Sequence, residues 1–118
     1  MGLPISLSFN SSISGIRAAT DMLSVSAHNI TNIDTDGYKK QHVNLRGDDG
    51  NGVIADITES TEAGPLYKDT RGETVEASNV NYIEEVVTQI NARHLLSANA
   101  AAIRYTNEAQ ESIMDIIV

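Results

Sequence analysis

The last third of the sequence constrains the fold most, because residues 73–118 contain neither Gly nor Pro. Asn81 and Glu84 have capping-box spacing, which predicts that a helix begins here. Apolar and small residues then recur about every 3.7 positions, as on one helix face: Ile83, Val87, Ile90, His94, Ala98, Ala101, Tyr105, Ala109, Ile113 and Ile116. A helix over about 81–117 would be roughly 55 Å long. A chain of 118 residues cannot bury so long a helix alone, so we expect it to pack on other helices.

A second helical pattern lies near the start of the chain. Its apolar and small residues are spaced alternately three and four apart, which is the seam of a coiled coil: Ile13, Ile16, Thr20, Leu23, Ala27 and Ile30. The polar residues 10–12 can cap the free N–H groups before this seam. Residues 34–37 favour a turn in which Gly37 takes a positive φ. The pattern predicts a helix over about 10–33.

The segment between the helices has short alternating stretches at 42–45 and 53–57, joined by the flexible residues 47–52. These predict two short strands, whereas residues 66–77 read as extended chain or loop. The sequence therefore predicts a mainly α fold, with two long helices paired as an antiparallel coiled coil and a small β-hairpin and loop region between them. A plain antiparallel helical hairpin and a dimeric bundle are the simpler alternatives. All 118 residues form a single unit, divided at 1–41, 42–77 and 78–118.

Composition and charge exclude several functional classes. The net charge is −8, and residues 44–85 carry ten acidic but only three basic residues, which argues against nucleic-acid binding. No apolar run approaches the roughly 18 residues that a membrane span requires, so we expect no membrane insertion. The absence of Cys excludes disulfides and Cys-ligated metals. An aromatic share of 4% favours narrow packing of aliphatic side chains.

The search for catalytic or metal-binding residues gives no strong candidate. His28, His42 and His94 are never three or four residues apart, so no helical metal site is indicated. The acidic turn at 48–51 lacks the ordered spacing and the closing Glu of a calcium loop. We therefore expect no cofactor, no metal and no enzymatic activity.

Two segments resemble one known family. Residues 28–41 read HNITNIDTDGYKKQ, similar to the N-terminal signature of flagellar rod and hook proteins, approximately N-N-I-A-N-x-x-T-x-G-Y-K. Residues 78–93 read SNVNYIEEVVTQINAR, similar to the C-terminal S-N-V-D/N…E-E-M-V…Q-R pattern of the same family. With the flanking helices the resemblance covers roughly 10–41 and 77–118. The link at 52–67 is most similar to that of short proximal rod proteins.

The resemblance implies a structural subunit of the bacterial flagellar basal-body rod, polymerising through its terminal helices into the axial tube. The implied partners are copies of itself, other flagellar axial proteins and the flagellar type III export apparatus, which would export the chain without a cleaved signal. The expected packing residues are Ile13, Ile16, Leu23 and Ile30 against Ile83, Val87, Ile90, Ala98 and Ile113. The turn that leaves the first helix, within the N-terminal signature, is here called the motif turn. It would be shaped by Asn29, Asn32, Gly37 and Tyr38.

The chain departs from the family pattern at three positions and in length. Thr31 stands where Ala is usual, Asp36 where Pro or Thr is common, and His94 where the residue is often aromatic or small. The middle segment is also shorter than in typical rod proteins. The alternatives are a divergent axial paralogue with a junction role, and a non-flagellar helical adaptor or small oligomeric bundle.

Overall fold

The computed structural model describes residues 3–50 and 52–117. Helix α1 spans Leu3–Thr31 and helix α2 spans Tyr82–Ile117. Between them lie β1 (Gln41–Gly47), β2 (Val53–Glu59), β3 (Leu66–Lys68) and β4 (Thr74–Glu76). The molecule is elongated, with extents of 78 × 23 × 14 Å.

The two helices lie antiparallel and meet along a line of small and polar residues. On α1 the line is Ser12, Gly15, Ala19, Met22, Ser26 and Asn29, and on α2 it is Glu85, Gln89, Ala92, Leu96, Asn99 and Ile103. Ala19 and Ala92 are both fully buried. A Cβ added to Gly15 would lie 2.5 Å from the Asn99 side chain, so a larger residue here would require Asn99 to move.

The contact line on α1 is displaced by one residue from the apolar seam seen in the sequence. Both lines have the same alternation of three and four residues, so periodicity alone does not distinguish them. Small residues allow two helix backbones to lie close together, and the larger apolar residues then lie at the side of the contact. The seam that begins at Ile13 is therefore not the line that faces α2, and Ile13 itself is 41% exposed.

Strands β1 and β2 form an antiparallel hairpin whose register pairs Gln41 with Glu59 and Gly47 with Val53. The hairpin packs on α1, where the backbone N–H of Val53 donates to Ser14 Oγ (3.1 Å). These strands confirm the two short strands expected at 42–45 and 53–57, with slightly longer bounds. Among the described elements α2 packs only on α1, whereas the hairpin packs on α1 with the base of β1 close to the start of α2, where both border one cavity with Asn29.

A second antiparallel hairpin, formed by β3 and β4, overturns the expected fold class. The prediction of a mainly α chain with one small hairpin is wrong, because residues 66–77 were expected to lack strands. The turn between β3 and β4 explains why the second hairpin forms. Asp69 Oδ1 accepts the backbone N–H groups of Arg71 and Glu73, both at 2.9 Å. Gly72 adopts φ +81°, so this Asx turn closes a tight hairpin.

The helix boundaries expected from the sequence agree with those in the structure better for α2 than for α1. Asn81 is the cap of α2, since its Oδ1 accepts the backbone N–H of Ile83 (3.0 Å) and Glu84 (3.3 Å), which confirms the predicted start. Helix α1 begins at Leu3 rather than near residue 10, so the expected cap at 10–12 is wrong. Adding residues to an existing helix is favourable without a new nucleus, and the polar residues 10–12 are accommodated inside it.

Candidate functional site

Asn29 is the centre of a buried junction between the end of α1 and the start of α2. Its side chain is 1% exposed. The Nδ2 group donates to the Gln41 carbonyl and to Glu85 Oε1, both at 2.9 Å. Oδ1 accepts the Tyr38 hydroxyl (2.8 Å) and the Gln41 backbone N–H (2.9 Å). All four hydrogen-bonding positions of the amide are therefore used, which fixes α1, β1 and α2 relative to one another.

Ser26 and Glu85 extend this junction by one helical turn. Ser26 Oγ donates to the Glu85 carbonyl (3.1 Å) and accepts from Gln89 Nε2 (3.3 Å). Glu85 is 6% exposed, so its carboxylate is held inside the protein by a hydrogen bond from a neutral amide. The helices are thus joined here by a specific polar network rather than by apolar packing.

Two lysines attach the chain between α1 and β1 to the middle segment and to the first turn of α2. Lys39 Nζ binds the Glu76 carboxylate and the Glu62 carbonyl (2.9 Å). Lys40 is buried, and its Nζ lies 3.0 Å from Glu84 Oε2. Because both lysines lie in the N-terminal signature, the basic end of this signature binds the acidic part of the chain that follows it.

Asn79 forms the second amide hub of the junction. Its Oδ1 accepts the Lys40 backbone N–H (2.6 Å), and its Nδ2 donates to Ser60 Oγ (3.2 Å) and to the Glu62 carbonyl (2.9 Å). The Asn79 N–H also donates to the Tyr38 carbonyl (3.3 Å). The two segments that carry the family resemblance, 28–41 and 78–93, therefore bind each other directly.

Electrostatics at the junction follow from burial and hydrogen bonding. Burial raises the pKa of Tyr38 above its usual 10.0, and the negative charges of Glu85 and Glu59 raise it further. The hydrogen bond from Lys39 and a backbone N–H from Gly64 hold the pKa of Glu76 below 4.5. Tyr38 thus stays neutral and donates to Asn29, whereas Glu76 stays charged.

The four residues expected to shape the motif turn have different roles. Asn29 and Tyr38 belong to the buried junction. Gly37 adopts φ +73°, which confirms its predicted backbone conformation, and its N–H donates to the Glu76 carbonyl (2.8 Å). Asn32 makes only local bonds at the end of α1, donating to the His28 carbonyl (2.9 Å).

The packing residues expected on α2 lie on its outer surface. Their exposed fractions are 72% for Ile83, 50% for Val87, 46% for Ile90 and 50% for Ile113, and Ala98 is also exposed. Three of them, Ile83, Val87 and Ile90, precede the α1-facing positions 85, 89 and 92 by two residues, a rotation of about 200° around the helix. We call the line Ile83, Val87, Ile90, Ala98 and Ile113 the outer stripe. In the described part of the chain none of these side chains faces α1, and their role in contacts between chains stays a prediction.

The packing residues expected on α1 are less exposed than those on α2. Ile13 is 41% exposed, whereas Ile16, Leu23 and Ile30 are half-buried at the side of the α1–α2 contact. None of them belongs to the line that faces α2. They form a second partly exposed apolar line, on the other helix of the pair.

Sequence reasoning missed the polar side chains that join the helices. Ser26 received no role, and Asn79 and Glu85 were placed only in the C-terminal motif, because a search for apolar periodicity does not assign partners to polar side chains. A usable signal was present, since Ser26 and Asn29 continue a line of small residues with coiled-coil spacing.

The histidines do not converge on one place. The His28 ring packs edge-on against Tyr38 with centroids 5.6 Å apart, while His42 and His94 are exposed on β1 and α2. Within residues 3–50 and 52–117, no group of three or more His, Cys, Asp or Glu side chains is placed to hold a metal ion. In the same ranges no helix combines the length and hydropathy of a membrane span.

Comparison of the chain with models of known protein families, and with curated protein sequences, finds no match.

Proposed function

We propose that the chain is a structural subunit of the bacterial flagellar basal-body rod, which assembles through its paired terminal helices. The observation that carries this proposal is the outer stripe of α2. A helix that already packs on α1 has a second apolar face on nearly its opposite side, over roughly 22 Å from Ile83 to Ala98, and Ile113 continues the stripe farther along as it turns around the helix.

The energetics of the outer stripe favour burial between chains. Burying the exposed half of an Ile or Val side chain contributes roughly 1 kcal/mol. Four such residues along one helix, Ile83, Val87, Ile90 and Ile113, therefore supply several kcal/mol per contact with a neighbouring helix. A stripe on one helix that binds a different line on the next subunit makes a heterologous contact, and such contacts build open helical polymers.

The junction around Asn29 and Asn79 gives a second, separate argument for the same proposal. The two segments that resemble the axial family bind each other through Asn29 and Asn79, and at Glu85 this contact lies on the face of α2 opposite the start of the outer stripe. Their polar side chains therefore serve to hold the helix pair in one geometry. A rod subunit needs this property, because every neighbour must meet the same surface.

The first experiment measures the chain in purified hook–basal bodies of the organism that encodes it. Quantitative mass spectrometry is expected to find its peptides in fixed ratio to other axial proteins. Absence of the expressed chain from these particles would refute the proposal, and a closed oligomer in solution would then favour the helical adaptor.

A pair of matched variants tests the outer stripe itself. Ile90→Asp is expected to fold with a loss of about 1–2 kcal/mol in unfolding free energy, since the residue is 46% exposed, but to be lost from basal bodies. Leu45→Asp, at 43% exposure on the hairpin, introduces the same charge at a similar apolar site and is expected to be retained. Equal incorporation of both variants would contradict the assignment of the stripe.

A further inference from the structure

The β1–β2 hairpin leaves one strand edge open, independently of any role of the helices. Lys40 O accepts from Ser60 N, and Asp48 N donates to Gly52 O, each at 2.9 Å. Hydrogen-bonded pairs alternate along an antiparallel ladder, so the even-numbered residues of β1 and β2 carry the bonds between the strands. The odd-numbered residues therefore direct their N–H and C=O groups outward.

Helix α1 covers only part of these outward groups. At the base of the hairpin Asn29 binds the N–H and C=O of Gln41, on the β1 edge. At its tip Ser14 binds the N–H of Val53, on the β2 edge. The helix thus crosses the hairpin diagonally, from β1 at the base to β2 at the tip.

A diagonal crossing leaves two opposite corners of the apolar hairpin face uncovered. These corners are Leu45, 43% exposed near the tip of β1, and Ile57, 52% exposed near the base of β2. At the Ile57 corner the outward backbone groups of Ala55, Ile57 and Glu59 are not paired with backbone elsewhere in the described chain. An apolar side chain and a run of free backbone donors and acceptors therefore lie side by side.

Charge determines which strand could bind there. Four acidic residues and only Arg46 as a base lie in the hairpin, and Arg46 is already bound to Asp56 at 2.6 Å. On the open strand Glu59 shares the face of Ile57, whereas Asp56 lies on the opposite face, where basic residues that alternate with apolar ones would lie. A second copy of the same strand would place like charges opposite each other, which is destabilising.

We propose that the β2 edge around Ile57 is a docking site for an extended segment of another protein, in which apolar and basic residues alternate. The segment adds a third strand through the backbone groups of Ala55, Ile57 and Glu59, and its apolar side chains cover Ile57. A third strand also stabilises the sheet, since a two-stranded hairpin alone is marginal in water.

The probe is a fluorescent, capped heptapeptide of alternating Lys and Val, titrated into the full chain while anisotropy is measured. Saturable binding is expected. A peptide of the same sequence methylated at every backbone nitrogen, and one with Glu in place of Lys, are expected to bind at least tenfold more weakly. Equal binding of the methylated peptide would overturn the proposal, since it would reduce the interaction to charge attraction.

Variants then locate the site. Ile57→Pro removes an outward N–H without removing a bond of the ladder, and is expected to weaken binding at least tenfold while the hairpin persists. The control Leu45→Thr at the opposite corner is expected to bind within twofold of the parent chain.

Amide hydrogen exchange by NMR separates strand addition from other binding modes. Saturating peptide is expected to slow exchange of the Ile57 amide at least tenfold. Unchanged exchange there, or unchanged affinity of Ile57→Pro, would overturn the site. Dimerisation of the free chain that Ile57→Pro abolishes, seen by sedimentation, would overturn the assigned partner in favour of a second copy.

Discussion

Replacement of Asn29 by Ala tests whether the polar junction holds the helix pair together. The side chain is 1% exposed and makes four hydrogen bonds, one of them to the buried carboxylate of Glu85. Asn29→Ala removes all four at once, and leaves the backbone of Gln41 and the Tyr38 hydroxyl without their partners.

The magnitude follows from these contacts. A neutral hydrogen bond contributes about 1 kcal/mol net, and one to a charged group about 1.5–3 kcal/mol. Gln41 and Tyr38 are half-buried, so water replaces part of what they lose. We expect Asn29→Ala to lower the free energy of unfolding by about 3–5 kcal/mol, a large share of the 5–15 kcal/mol typical of a domain.

The assay is urea unfolding followed by far-UV circular dichroism, with Asn32→Ala as the matched control. Asn32 is the same residue type in the same motif, but it bonds only to exposed local groups, so about 0.5 kcal/mol is expected. An Asn29→Ala chain within 1 kcal/mol of the parent, or no less stable than Asn32→Ala, would refute the central role of the junction.

Two further predictions concern the middle segment. Gly64→Ala is expected to lower the free energy of unfolding, measured by thermal unfolding, by about 1–3 kcal/mol, because its Cβ would overlap the Ala77 carbonyl. In the control Gly47→Ala the added Cβ meets no atom within 4 Å, so stability should change little. Equal effects of the two substitutions would contradict the close packing at Gly64. The pKa of Glu76 is lowered by folding, so its contribution to stability is present above about pH 4.5 and is lost as the pH falls through the folded value. Glu76→Gln should therefore flatten the loss of stability between neutral and acidic pH, and an unchanged pH profile would show that the Lys39 contact contributes nothing.

The sequence by itself determined the elements whose signals are local. The cap at Asn81 and the turn at Gly37 depend on residues within one turn of each other, so their chemistry is readable from order alone. The strands at 42–45 and 53–57 and the length of α2 follow from alternation and from the lack of Gly and Pro. The hairpin at 66–76 also had a local signal, in the turn from Asp69 to Gly72, but strands of three residues are too short to show alternation.

Only the tertiary structure decided which helix faces meet. Two lines on α1 share the same periodicity, one apolar through Ile13 and one of small and polar residues through Ser26 and Asn29. The second line faces α2, because it permits close approach and because its polar groups find partners there, such as Glu85, that are distant in sequence. The residues of the outer stripe of α2 could be read from their periodicity, but that most of them face away from α1 depends on packing that no local rule contains.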